Sequence, residues 1–475
     1  MREISKNELK RKLELLNPHW ASGSIEPHIA KLGRRDYFDL FYPLVKDSKV
    51  RRAAILFGPR RVGKTIIIQQ TIEQLVQDGI PAKNILYLSI DTPLLQGLEL
   101  EELIQLYTEI QSFSSPEKCF IFFDEIQYLS NWEVHLKVLV DRWQATKFIA
   151  SGSAAAALKR KSSESGAGRF TDFILPPITF CEFLRLLGLE REAVENVEVL
   201  NREFLRYMNF GGYPEAIFSQ EIQQNPDRFV RSDIIEKALL RDLPSLYGIQ
   251  DIQELTRLFN TLAYQTGNEV TLEGISKSSG VAKNTITRYI EYLESAFLIK
   301  TVSRVDNCGK TFKRENFFKV FLTNPSMYAA LIEPITADGE STGHIVETAI
   351  FSQLFHDTSG FERTVYARWS ERTKSQGEVD LVSLNERLNV AGALEVKWSD
   401  EFFDNANKLK GLIHFCKQCE LKQAAVTTRT KRGPIKINDN LTFLFYPAAW
   451  VCYMFGKLIL ENKKALQNFL DTRFQ

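Results

Sequence analysis

Ala54-Ile-Leu-Phe-Gly-Pro-Arg-Arg-Val-Gly-Lys-Thr65 is the stretch that decides the fold of the first third of this chain. Its apolar run Ile55-Leu56-Phe57 predicts a buried strand. The segment from Ile66 to Val76 has helical length and no breaker. Between them, Gly58 to Thr65 spells G-x-x-x-x-G-K-T. That spacing suits an anion cradle: Gly58 and Gly63 let the backbone curl so that successive N–H groups face one ligand, and the helix N-terminus adds its positive end. In such a loop Lys64 reaches the β- and γ-phosphates of a nucleotide and the Thr65 hydroxyl ligates Mg²⁺. The expected cradle is Gly58, Pro59, Arg60, Arg61, Val62, Gly63, Lys64, Thr65 and Ile66.

Strands and helices then alternate. Asn84 to Asp91 reads as a short strand and Leu98 to Phe113 as an amphipathic helix. Cys119-Phe-Ile-Phe-Phe-Asp124-Glu125 is a buried strand ending in two acids, the Walker B pattern. Asp124 is expected to hold Mg²⁺, and Glu125 to polarise the attacking water as general base. Lys147 to Ser153 gives the next strand, whose polar tip offers Ser153 or Ser151 to position water, or forms a plain turn. Lys159 to Arg169 is a basic loop. Two readings stand for Arg169: an arginine finger for a neighbouring subunit's site, or a surface arginine paired within its own chain.

Residues 179–250 look helical, broken at Gly211-Gly212-Tyr213-Pro214, and suggest a lid. In 251–330, a short helix from Thr271, a tight turn at Ser279-Gly280-Val281, a second helix from Lys283 and a strand from Phe297 give a winged helix-turn-helix pattern. Lys283, Asn284, Thr287 and Arg288 start the second helix with side chains suited to phosphates and base edges. Glu291 and Glu294 on that helix favour the other use of such domains, packing against protein. Residues 331–475 read as a last α/β domain. There Glu347 on a helix, Asp380 on one strand and Glu395-Val-Lys397 on another follow the order of a metal-dependent nuclease. Glu347, Asp380 and Glu395 are the candidate Mg²⁺ or Mn²⁺ ligands, with Lys397 orienting hydroxide. The alternative is an inactive scaffold of that fold. Cys416 and Cys419 form a lone C-x-x-C, read as ordinary helix thiols.

Composition sets the outer limits. At 475 residues the chain is too long for one core. A net charge of +1 leaves no global field for nucleic acid, so local patches must carry any such contact. No apolar run approaches membrane-spanning length, and the first residues lack the apolar core of a signal peptide. Six cysteines spread along the chain suit reduced thiols in a cytoplasm better than a disulfide framework.

The loop Gly58 to Thr65, together with Phe123-Asp-Glu-Ile-Gln-Tyr-Leu-Ser-Asn-Trp132, Ser151-Gly-Ser153 and Gly168-Arg169, resembles the AAA+-type P-loop ATPases of bacteria and archaea. Gly211 to Glu215, Arg241-Asp242 and Glu395-Val-Lys397 extend the likeness over most of the chain. The sequence departs from it in the alanine run Ala154 to Ala157 and at Asn324, where relatives often carry an acid. The resemblance implies an α/β P-loop NTPase (AAA+) core at 51–178 behind a helical lead-in at 1–50. It further implies a helical lid, a winged helix-turn-helix and a C-terminal restriction-endonuclease-like domain. It implies ATP and Mg²⁺ as ligands. The expectation is a Mg²⁺-dependent ATPase acting on DNA as a homo-oligomer, with no membrane partner. The rival is a slow ATP-dependent switch whose nuclease-like domain is an inactive docking module.

Overall fold

The computed structural model describes residues 5–47, 51–95, 97–155, 168–310, 317–357, 363–370 and 376–473. Most of the basic loop before Arg169 therefore lies outside the described residues. The chain divides into two compact units, 1–175 with 463–475, and 176–462. The segments expected to form the lid, the helix-turn-helix and the C-terminal domain thus fall within one unit.

Unit 1 is built on a parallel sheet in the order β2-β3-β4-β1-β5. Its strands are β1 (Ala53–Gly58), β2 (Ile85–Ser89), β3 (Phe120–Asp124), β4 (Lys147–Ser153) and β5 (Phe170–Ile174). β1 is buried along its whole length, as its uninterrupted apolar run requires of a parallel strand covered on both faces. The expected strands and the helix after the loop, α1 (Lys64–Gln77), all form. Register places Gly58 opposite Ser153 and Phe123 opposite Ala150. The carboxyl ends of β1, β3 and β4 therefore line one edge, where open α/β sheets bind ligands.

The lead-in serves this sheet. Asn17, 1% exposed, donates from Nδ2 to the Tyr87 carbonyl at 2.9 Å and accepts the Tyr87 N–H at 2.7 Å, so one side chain satisfies the open edge of β2. Within the expected helical lead-in, one helix runs from Phe38 to Lys46. The residues before it form a turn, and the Arg35 guanidinium donates to the Val62 carbonyl in the phosphate loop at 3.1 Å.

Unit 2 opens with helices, among them α2 (Val197–Phe210), followed by π-helical turns over Arg228–Glu236 and Ala238–Asp242. Two further helices follow, α3 (Leu272–Ser279) and α4 (Lys283–Ser295). Gly280 ends α3 at φ +75, the left-handed cap that the tight turn needs. A nine-stranded sheet completes the unit, in the order β13-β14-β12-β11-β10-β9-β7-β8-β6. Its strands are β6 (Glu269–Val270), β7 (Ile299–Val305), β8 (Phe318–Leu322), β9 (Thr364–Ser370), β10 (Gln376–Leu384), β11 (Val390–Glu395), β12 (Gln423–Thr428), β13 (Gly433–Asn438) and β14 (Leu441–Pro447). The hairpin β7–β8 behind the two helices belongs to the same sheet as the C-terminal strands. β7 joins β9 in parallel at Arg304–Tyr366 and Val305–Ala367. Helix α5 (Thr342–Leu354), which carries Glu347, packs against β8. The thiols of Cys416 and Cys419 are free, and burial pushes them up to about 12 and about 11, the inert state expected of helix thiols.

The break at Gly211-Gly212 is a packing requirement. A Cβ on Gly212 would meet Asn324 Cγ at 2.3 Å. Asn324 is fully buried, and its Oδ1 accepts the Ser326 N–H at 2.9 Å and the Ser326 hydroxyl at 2.6 Å, so it has no freedom to retreat. Gly212→Ala is expected to destabilise the protein by about 1–3 kcal/mol, read from the midpoint of thermal or urea unfolding.

Candidate functional site

At the carboxyl edge of the unit 1 sheet, the phosphate loop is closed around its own lysine. Lys64, 6% exposed, donates from Nζ to the carbonyls of Gly58 and Pro59, each at 3.0 Å. Gly63 sits at φ +95, as a glycine in such a loop must, and Arg61 also takes a left-handed conformation at φ +64. A Cβ on Gly58 would lie 2.4 Å from the Leu175 carbonyl oxygen, so only glycine fits there. Val62 is buried, Arg60 half-buried and Arg61 exposed.

Asp124 stands beside the loop, 1% exposed. Three hydroxyls converge on its carboxylate. Thr65 donates to Oδ2 at 2.7 Å, Tyr87 donates to Oδ2 at 2.9 Å, and Ser151 donates to Oδ1. Burial, with the Asp124 charge beside it, holds the Tyr87 phenol above its ordinary value, so Tyr87 is a donor at any working pH. Thr65 and Asp124 thus present two hard oxygens in contact, the donor set that Mg²⁺ takes. Ser151 is absorbed by this network and also accepts the Glu125 N–H at 3.1 Å. Ser153 is not: its buried hydroxyl has no hydrogen-bond partner. An orphaned hydroxyl level with Gly58 fits a site made for a phosphate.

Glu125 takes a left-handed conformation at φ +54, strain of the kind that gathers at functional sites. Gln127 donates from Nε2 to Glu125 Oε2, and its Oε1 accepts the Ser153 N–H at 3.2 Å. One side chain therefore ties the expected base to the tip of β4. Gly152 makes room for it, since a Cβ there would stand 3.1 Å from Gln127 Oε1. Tyr87, Gln127 and Arg35 were not among the residues expected from sequence. Only Gln127 carried a signal, its place two residues after Glu125.

Arg169 is not part of this edge. It precedes β5, whose first residue Phe170 pairs with Ala53, so Arg169 lies at the opposite end of the sheet, roughly 17 Å along β1 from Gly58. There it pairs with Asp141, both half-exposed. In unit 2, Lys283, Asn284, Thr287 and Arg288 are all exposed at the start of α4, and Lys283 lies 3.7 Å from Glu273. Arg241 is exposed on its π-helical turn.

The four residues expected to form a nuclease centre do come together. Lys397 Nζ lies 2.7 Å from Glu395 Oε1 and 3.9 Å from Asp380 Oδ2, and the Val396 N–H donates to Asp380 Oδ2 at 2.7 Å. A residue from outside the pattern joins them. Lys319 of β8, 2% exposed, places Nζ 2.8 Å from Glu347 Oε1, 2.7 Å from Glu378 Oε1 and 3.9 Å from Asp380 Oδ1. Burial alone would lower its pKa. The pull of Glu347, Asp380 and Glu378 outweighs burial and holds the amine above its ordinary value. Among the described residues no group of three or more His, Cys, Asp or Glu is placed to hold a metal ion.

Comparisons with known proteins agree with unit 1. Residues 50–184 match the family model described as an AAA domain, and residues 201–338 match a domain of unknown function, DUF8612. The loop and Asp124 geometry of unit 1 agrees with that AAA-domain match. An uncharacterized protein of Haemophilus influenzae is 25% identical over 330 residues, 68% of this chain and 79% of its own length. One from Methanocaldococcus jannaschii is 24% identical over 310 residues, 63% of this chain and 66% of its own. One from Mycobacterium tuberculosis is 26% identical over 294 residues, 60% and 58%. Among solved structures, the Aeropyrum pernix ORC1 protein in complex with DNA covers 64% of this chain and 94% of its own, at 11% identity and a TM-score of 0.32. No helix among the described residues is long and apolar enough to cross a membrane.

Tyr87→Phe removes one of three donors to a buried carboxylate while keeping the ring. The expected cost is about 1 kcal/mol of stability by urea unfolding, with nucleotide binding retained in excess Mg²⁺.

Proposed function

We propose that unit 1 binds ATP with Mg²⁺ and hydrolyses it, and that turnover alters how unit 2 engages DNA. The observation that carries the ATPase reading is the Thr65–Asp124 contact at 2.7 Å beside Lys64, with Glu125 one residue on. The backbone of Gly58 to Thr65 would cradle the phosphates, with Ile66 opening the helix behind them. Lys64 would exchange its two carbonyl partners for phosphate oxygens. Thr65 and Asp124 would hold Mg²⁺, which supplies charge neutralisation when bound. Glu125, oriented by Gln127, would take the proton of the attacking water as its oxygen bonds to the γ-phosphorus. The bond to the β–γ bridging oxygen breaks and ADP leaves. Ser153 would use its unpartnered hydroxyl to place that water or a phosphate oxygen.

Arg169 lies far from its own loop along the sheet, a position that suits a finger offered to another copy. That role requires an oligomer and the release of Asp141. We read α3, α4 and the β7–β8 hairpin as a winged helix-turn-helix and the strands from β9 onward as a restriction-endonuclease-like fold. The exposed Lys283, Asn284, Thr287 and Arg288 are the proposed DNA contacts, and a cytoplasmic setting suits the six free thiols.

A second reading is favoured by Lys319. An acidic centre already paired with a buried lysine fits an ATP-driven switch with an inactive nuclease-like domain better than an ATP-gated nuclease.

Steady-state ATP hydrolysis separates the two, with and without single-stranded, double-stranded or branched DNA. Glu125→Gln is expected to lower kcat by about 100-fold or more while ATP still binds. Stimulation by one DNA form supports the motor; a slow, unstimulated rate supports the switch. Lys283→Ala with Arg288→Ala is expected to weaken DNA binding and reduce the slope of log affinity against log salt by about 2. An unchanged slope removes α4 from the DNA interface.

A further inference from the structure

The pattern of Glu347, Asp380 and Glu395-Val-Lys397 implies a divalent metal, and the residues present do not fit one. Lysine ammonium groups already stand against the acids that such an ion would use. Glu347 Oε1 is 2.8 Å from Lys319, and Asp380 Oδ1 faces Lys319 at 3.9 Å. Asp380 Oδ2 accepts the Val396 N–H and faces Lys397, which also takes Glu395 Oε1. The buried Glu395 Oε2 is without a hydrogen bond, but among the described residues no group of three or more His, Cys, Asp or Glu is placed to hold a metal ion. Lys319 meanwhile does what a cation at this place must do. Its ammonium has Glu347, Glu378 and Asp380 within 4 Å, and the Tyr366 ring centroid lies 5.2 Å away.

The lysine reaches this place because of the sheet. β8 pairs with β7 through Val302–Lys319 and with β6 through Glu269–Lys319. Its residues from Lys319 to Leu322 are buried on both faces. A lysine in such a strand has no route to solvent, so it is stable only against carboxylates. Glu347 on α5 and Glu378 with Asp380 on β10 provide them from the two elements it meets.

We infer that Lys319 is the resident cation of this cluster, occupying the place the pattern would give to a divalent metal, so that this region of unit 2 is held together without metal and carries no metal-dependent nuclease activity. The same ion pairs tie the hairpin behind α4 to the C-terminal strands. This goes beyond the ATPase reading and does not depend on it, because nothing in it requires turnover at the phosphate loop.

The test uses the full chain without nucleotide, in an Asp124→Asn background that silences the other oxygen site, with Mn²⁺ as probe. Calorimetry and thermal unfolding are read together. The Lys319-containing protein is expected to bind no Mn²⁺ at submillimolar concentration and to show no shift in midpoint. Lys319→Met leaves the carboxylates unbalanced and is expected to lower the midpoint by roughly 5 °C or more, with Mn²⁺ restoring it at one ion per chain. Adding Glu347→Gln to Lys319→Met should abolish that restoration. Two results overturn the inference. One is stoichiometric Mn²⁺ binding by the Lys319-containing protein that is lost on Glu395→Gln. The other is a folded Lys319→Met protein that neither loses stability nor responds to Mn²⁺. Should Lys319→Met fail to fold, the titration of the Lys319-containing protein decides alone: binding overturns the inference and its absence supports it.

Discussion

Unit 1 depends on how one buried carboxylate is satisfied. Asp124 ends an apolar strand, and an ionised acid at that depth is costly unless it is hydrogen-bonded. Its three donors come from three different elements: Thr65 from α1, Tyr87 from β2 and Ser151 from β4. The charge is thereby spread over the parallel sheet, and satisfying it fixes the loop against the strands. Hydroxyl donors bring no positive charge of their own to the carboxylate. A threonine hydroxyl can turn its oxygen to a metal, and a tyrosine or serine can go on donating from the other side. The network is stable without a ligand and still open to one.

Unit 2 solves the same problem with ammonium groups. Glu347, Glu378, Asp380 and Glu395 crowd one part of the sheet, and Lys319 and Lys397 stand between them. A salt bridge at 2% exposure carries a desolvation cost that only close, multiple pairing offsets. Lys319 has that pairing. The result is a joint between the β7–β8 hairpin and the C-terminal strands, two segments that sequence alone separates.

Legibility followed the range of each interaction. The strand, loop and helix at Ala54 to Val76 are local, and their apolar run, glycines and helical length all point one way. The buried run Phe120 to Phe123 ending in Asp124 was readable for the same reason. Tyr87 and Arg35 were not, because each acts on a residue more than 25 positions away and neither belongs to a motif. Ser151 and Ser153 were interchangeable in sequence. Only the register of β4 against β1 and β3 assigns one to the carboxylate and leaves the other's hydroxyl unpartnered. Lys319 was the least legible. In Phe318-Lys-Val-Phe-Leu322 it looks like the exposed position of an edge strand. Joining two expected domains into one sheet is what buries it.

That last point bears on how a motif should be weighed. Glu347, Asp380, Glu395 and Lys397 have the right types, order and elements, and folding does bring them together. What the pattern omits is the charge that neighbouring elements add. A carboxylate cluster is a metal site only if its negative charge is left uncompensated until the ion arrives. In unit 1 the groups facing Asp124 are neutral hydroxyls. In unit 2 the groups facing Glu347 and Asp380 are ammonium cations. Two acidic centres in one chain, alike as sequence patterns, thus differ in chemistry through the side chains that face them.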